Sequence, residues 1–247
     1  MTRAATLLFS IVAYAIFFAT FLYLIVFVGD LSFARVTVDT GGPQAAPATA
    51  AVIDVALIAL FGLQHSVMAR QGFKRWWTRV IPWTAERSVY VLMASAVLIV
   101  LMTLWRPIDS VVWSISAPLT ADLIWALFWI GWLTVLLSTF LINHFELFGL
   151  QQAWFNMLGR KAERPKFRQP LFYKWVRHPL YLGFLFAFWA APEMTAGHLL
   201  LAVGVSIYIL IAIQYEERDL VSLFGQDYEN YRRDVGMLTP RFRRRSA

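Results

Sequence analysis

Long apolar blocks separated by short polar stretches dominate this chain. Five stand out, at about 4–28, 50–69, 88–105, 122–142 and 198–215. Crossing a bilayer core of ~30 Å takes roughly 20 residues of helix, which these blocks meet or approach. A sixth run, Leu180 to Ala191, is shorter and lies between Pro179 and Pro192, residues that punctuate helices. A helix of that length rises about 18 Å. The run therefore either extends through the polar flank before it or makes a partial span. A helical hairpin over 180–191 and 196–217, turning at Pro192-Glu193-Met194-Thr195, fits the pattern. The predicted class is all-α: a polytopic membrane helix bundle of five to six transmembrane segments that ends in this hairpin. A single domain is expected over 1–247.

Composition agrees. Of 247 residues, 59% are hydrophobic and 15% charged, against about a quarter charged in soluble domains. The first block, Ala4 to Val28, is too long for a signal peptide and lacks a small-residue cleavage pattern. Cysteine is absent, so disulfides, thiolate nucleophiles and Cys-based metal sites are excluded.

The net charge of +7 belongs to the membrane rather than to nucleic acid. The loop after the second block holds Arg70, Lys74, Arg75, Arg79 and Arg87. The loop after the fourth holds Arg160, Lys161, Arg164, Lys166, Arg168, Lys174 and Arg177. Six arginines, among them Arg243 to Arg245, follow in the tail. The alternate loops carry Arg35 and Arg106, beside Asp30, Asp39 and Asp109. The positive-inside rule puts both termini and both basic loops in the cytoplasm, in a bacterial inner membrane. The segment 41–47 is then an outer loop. Trp76, Trp77, Trp83, Trp105 and Trp113 lie near segment ends and read as interfacial anchors.

This topology gathers polar groups at one depth. Gln64-His65-Ser66 ends the second block, Glu86-Arg87 starts the third, and Asn143-His144-Phe145-Glu146 ends the fourth. His178 precedes the hairpin and Glu216-Glu217 closes it. His198 alone among the histidines falls near the outer turn. A site at the inner leaflet, open to a cytoplasmic cofactor, is the economical reading. His144 and Glu146, two apart on a helix, face different directions. No His-x-x-x-His or Glu-x-x-His pair occurs, so no metal is expected. One axial histidine would suffice for haem. Gly-x-Gly-x-x-Gly and Walker motifs are absent, against a Rossmann-type fold.

The last 70 residues carry the most specific pattern: Arg177-His178-Pro179-x-Tyr181-x-Gly183, an apolar hairpin, Glu216-Glu217, then Tyr228, Tyr231 and Leu238-x-Pro240. This series resembles the C-terminal cofactor region, here about 170–240, of the isoprenylcysteine carboxyl methyltransferase-like membrane enzymes. The resemblance implies S-adenosylmethionine as cofactor, with His178, Tyr181, Gly183, Glu216 and Glu217 lining its pocket. Tyr228, Tyr231 and Arg232 are candidates for closing it. The chemistry suits these residues. A sulfonium cation calls for anionic and aromatic partners, Arg177 can hold a carboxylate, and Gly183 permits close backbone approach.

Two further blocks narrow the resemblance. Gln64-His65-Ser66-x-Met68-Ala69-Arg70 with Glu86-Arg87-Ser88-x-Tyr90 forms one, and Asn143 to Gln152 the other. Together they resemble the branch that methylates methanethiol to dimethyl sulfide. The first block also resembles NnrU-type membrane proteins. A small volatile thiol is thus the implied substrate, with the bilayer as surroundings and no obligate protein partner. A thiolate is the competent nucleophile, so a base is needed. His144 is the first candidate, His65 the second. Glu146 either orients His144 or serves as base itself. The alternatives are an isoprenylcysteine or phospholipid acceptor, an NnrU-like haem-dependent isomerase or accessory protein, and, last, a sterol-reductase-like enzyme.

Overall fold

A computed structural model describes residues 2–160 and 167–241. The basic run 161–166 and the arginines at 243–245 lie outside the described residues.

Among the described residues, five helices are long and apolar enough to cross a membrane: α1 (Arg3–Val28), α2 (Pro47–Ala69), α4 (Trp83–Leu104), α5 (Pro118–Ile142) and α9 (Ala196–Phe224). The architecture is that of an all-α polytopic membrane helix bundle. Starts and stops follow local chemistry. Pro47 and Pro118 open α2 and α5 at the first helical turn, where a missing N–H costs nothing. Thr2 and Thr195 cap α1 and α9 through their hydroxyls. The sixth run forms α8 (Pro179–Trp189). Its 11 residues rise about 16 Å, and extended chain over 190–195 completes the return.

Shorter helices fill the connections: α3 (Gln71–Trp77), α6 (His144–Leu147), α7 (Leu150–Met157) and α10 (Gln226–Asp234). The predicted hairpin turn is instead a strand. β2 (Glu193–Thr195) pairs antiparallel with β1 (Val111–Ser114), with a register irregularity between Val111 and Trp113. Strands of four and three residues are too short to give a periodic signal beside the apolar blocks around them.

Two ends of the bundle can be told apart. At one, the near end, lie the starts of α1, α4 and α8 and the ends of α2, α5 and α9. Ser88 donates to Ser10, and Arg87 reaches the Leu147 carbonyl there. The far end holds the ribbon and the loop before α2. Trp105, expected at an interface, is fully buried at this end, and its indole donates to the Val38 carbonyl. It belongs to the main core with Phe27, Val28, Phe128, Trp132 and Leu201. Trp113 sits in the ribbon and donates to the Ala191 carbonyl. Trp76 and Trp83 remain exposed.

Helices α5 and α8 pack backbone to backbone. A Cβ on Gly131 would lie 2.7 Å from the Gly183 carbonyl oxygen, and one on Gly183 2.7 Å from that of Gly131. Gly183 thus serves a helix–helix contact, and the backbone that approaches it closely is that of α5.

Candidate active site

The C-terminal motif assembles around Glu217. Arg177 Nε lies 2.7 Å from Oε1, His178 Nε2 3.0 Å from the same oxygen, and Arg232 Nε 3.1 Å from Oε2. The carboxylate is buried and compensated from three sides, as a buried charge must be. Arg177 also donates to the Arg232 and Val235 carbonyls. Backbone N–H groups of Arg177 and His178 donate to the Gly236 and Met237 carbonyls. This cluster ties the start of α8, the end of α9 and the chain beyond α10 into one unit. Arg177, expected to meet a cofactor carboxylate, is committed to that joint.

Tyr228 and Tyr231 are buried on the inner face of α10, against Phe167 and each other. The Tyr231 hydroxyl donates to the Tyr173 carbonyl. Burial pushes its pKa up to about 12, so it stays a donor at any physiological pH. These two tyrosines seat α10.

Glu216 is differently placed. Tyr181 donates to its Oε2 at 2.9 Å, and its other oxygen has no partner among the described residues. Tyr208, two turns earlier on α9, lies within electrostatic reach of Glu216 and of Tyr181. Its ring stands edge-on to His65, with centroids 6.2 Å apart. Tyr90 from α4 closes the group, its hydroxyl 2.7 Å from His65 Nε2. An anion, three phenols and an imidazole from α2, α4, α8 and α9 therefore converge.

His144 lies elsewhere at the near end. Its ring stacks on Phe140 at 4.2 Å and meets Tyr14, Phe145 and Phe148 edge-on. Both nitrogens are engaged: Nδ1 with Thr139 Oγ1 at 2.9 Å, Nε2 with the Tyr14 hydroxyl at 2.7 Å. Burial lowers its pKa, so it is neutral near pH 7. Glu146 does not orient it. That carboxylate is exposed and accepts from Asn143 Nδ2; Thr139 and Tyr14 hold the imidazole instead. The three near-end histidines thus share a depth but occupy three separate settings.

Over 241 residues the chain is 51% identical to the methanethiol S-methyltransferase of Mycobacterium tuberculosis, covering 97% of this chain and 98% of that enzyme. The methanethiol S-methyltransferase of Pseudomonas deceptionensis is 51% identical over 242 residues, 98% of this chain and 92% of that enzyme. The chain belongs to the methanethiol S-methyltransferase family. Nurim from Danio rerio is a more distant relative, 31% identical over 192 residues, 72% of this chain and 67% of nurim. No family model matches the chain, and no solved structure matches it.

Membership in the methanethiol S-methyltransferase family makes this a methyltransferase and raises the question of a methyl donor. The residues present fit a sulfonium donor at Glu216. Its carboxylate keeps one unshared oxygen and is flanked by phenol rings, the environment a soft cation takes. Glu217 fits less well, since Arg177, His178 and Arg232 already surround it.

Sequence reasoning passed over Tyr208 and Tyr14. Tyr208 was within reach, because 208, 212 and 216 share a helix face. Tyr14 lies in an apolar block with nothing to set it apart.

Proposed function

We propose that this protein transfers a methyl group from S-adenosylmethionine to methanethiol, yielding dimethyl sulfide at the cytoplasmic face of a bacterial inner membrane. The observation that supports this most is the similarity to enzymes of that name along 97% of the chain. The basic residues of the near end, Arg70, Lys74, Arg75, Arg79 and Arg87, favour placing that end and both termini in the cytoplasm.

When bound, S-adenosylmethionine supplies an electrophilic methyl on a sulfonium. The chain's own residues then do three things. Glu216, with Tyr181 and Tyr208, offers the cation an anionic and aromatic wall. Arg232, 45% exposed and joined to Glu217 through Nε, receives the donor's carboxylate. The Arg177–His178–Glu217 joint, with α10 seated by Tyr228 and Tyr231, fixes these groups relative to α8. Positioning of this kind supplies a large share of a two-substrate rate. Thiolate and sulfonium charges cancel on the way to products, so a dry site favours the reaction.

Headspace gas chromatography tests the reading. Purified protein in detergent is given methanethiol and methyl-labelled S-adenosylmethionine. Labelled dimethyl sulfide above a no-enzyme control is expected. Its absence from protein that binds the donor would overturn the methanethiol assignment and direct the search to isoprenylcysteine or phospholipid acceptors. A Soret band with neither product nor donor binding would favour the haem reading.

A further inference from the structure

The two candidate histidines differ in which nitrogen is available. At His144, Thr139 donates its hydroxyl proton to the Leu136 carbonyl at 2.7 Å. Its oxygen is then an acceptor, so His144 Nδ1 carries the ring proton. Nε2 is left as the lone pair, and the Tyr14 hydroxyl caps it. No nitrogen of this ring is open to a substrate.

At His65 the logic runs the other way. The Tyr90 hydroxyl lies 2.7 Å from Nε2 and 3.4 Å from the His65 carbonyl oxygen. A carbonyl can only accept. Using both contacts sends the phenol proton to the carbonyl and the Nε2 proton to the phenol oxygen. Nδ1 then presents a bare lone pair, and it is buried without a partner. The neighbouring Gln64 Oε1 is buried and unpartnered as well. Buried polar atoms are nearly always satisfied, and those that are not call for an explanation. The ring also stacks on Phe61, which fixes its plane.

We infer that His65 Nδ1 takes the proton of the thiol acceptor, and that Tyr90 is the positioning residue that sets its tautomer. The inference rests on the methanethiol reading above. The S–H proton moves to Nδ1. The thiolate sulfur forms its bond to the methyl carbon as the bond from that carbon to the donor sulfonium breaks. The electron pair of the broken bond stays on the donor, which departs as a neutral thioether. His65 then returns its proton to solvent. Arg87 and Tyr90 of α4 and Tyr208 of α9 face the imidazole, and Glu86, Arg70 and Glu216 lie within electrostatic reach of those two phenols.

The test combines turnover, pH dependence and donor affinity. His65→Gln should lower kcat at pH 7 by about 100-fold, the usual range for a lost base. The deficit should shrink as pH rises toward the thiol's own ionisation, above ~8.5. Donor affinity by titration calorimetry should stay within about threefold. A His144→Gln deficit should not shrink with pH. Tyr90→Phe should cost about tenfold alone and nothing further in the His65→Gln background, because the two act as a unit. Near-wild-type turnover of His65→Gln, or a deficit flat with pH, overturns the assignment. If His65→Gln does not fold, Tyr90→Phe carries the test: a deficit that shrinks with pH supports it, and a flat one overturns it. Wild-type protein inert toward methanethiol sinks the underlying reading and this assignment together. Active wild type with a pH-flat His65→Gln deficit sinks the assignment alone.

Discussion

The two ends of α9 solve one problem in opposite ways. Each sets a carboxylate beside a histidine, buried at the near end and partly buried at the far end. At the near end, Glu217 is met by Arg177, His178 and Arg232. At the far end, Asp39 accepts from Thr195 at 2.5 Å, and its other oxygen lies 3.9 Å from His198 Nδ1. His198 itself is turned to the Phe188 carbonyl at 3.0 Å. Asp30 and Glu193, both acids, lie within electrostatic reach. Burial and these neighbours raise the Asp39 pKa to about 6. Two guanidinium groups compensate the near-end carboxylate, whereas a hydroxyl contact leaves the far-end one sensitive to pH. The end with fixed charge is the one that carries the proposed chemistry, where a fixed field is an advantage.

Removing Glu217 should break this contrast most sharply. Glu217→Ala leaves Arg177 buried without its counter-charge, which typically costs about 3–5 kcal/mol. The expected result is a large fall in the thermal midpoint in detergent, or loss of folded protein. Glu216→Ala, by contrast, should weaken donor binding with little change in midpoint. A Glu217→Ala protein that melts like wild type but fails to bind donor would return Glu217 to the pocket and end its structural reading.

Asp39 sharpens the comparison through pH. Its folded pKa lies above the unfolded carboxylate value of about 3.9. The folded state therefore binds the proton more tightly. Stability from this group is full below pH ~4 and declines as pH rises, with the loss complete above pH ~6. A rise of this size corresponds to roughly 3 kcal/mol. Thermal midpoints measured from pH 4 to 8 should show that decline, and Asp39→Asn should flatten it. An equally steep profile in the Asn variant would assign the titration to another group.

Gly183 gives a smaller effect with a clean alternative. Gly183→Ala drives a Cβ to 2.7 Å from the Gly131 carbonyl and 2.9 Å from Val135 N. Overpacking of this kind costs about 1–3 kcal/mol. The midpoint should fall while donor affinity per folded molecule is preserved. The opposite split would restore the glycine to the cofactor site, where its motif first suggested it belonged.

The motif's residues meet at one end of the bundle, but the motif does not announce which contact each of them makes. All six apolar runs became helices, the short sixth one included, because an apolar run within a membrane leaves the backbone no partner but itself. The gathering of His65, His144, His178 and Glu217 at one end followed from alternating helix direction. Their pairing did not. Which carboxylate takes the arginines depends on the rotation of α9, and adjacent positions 216 and 217 differ by about 100°. Tyr14 holding His144 depends on α1 packing beside the break at Asn143, whose φ of 167° is simply extended chain. The ribbon between β1 and β2 depends on two segments about 80 residues apart, and no local pattern announces such a contact.

Thr195 offers the finest test of the far end. Its hydroxyl donates to Asp39 Oδ1 and accepts from the His198 N–H at 3.0 Å, capping α9. Thr195→Val keeps the shape and removes both bonds. Loss of such a cap costs about 1 kcal/mol, a shift of a few degrees in a chain of this size. The same change removes the one contact that lowers the Asp39 pKa against its burial. The pH at which stability declines should therefore move upward in Thr195→Val, while the decline itself grows larger. Thr195→Ser, which retains the hydroxyl, should restore both. A Val variant with the midpoint lowered but the pH profile unmoved would separate the cap from the carboxylate. The far end would then be held by α9 capping alone, and its resemblance to the near end would be one of composition rather than of mechanism.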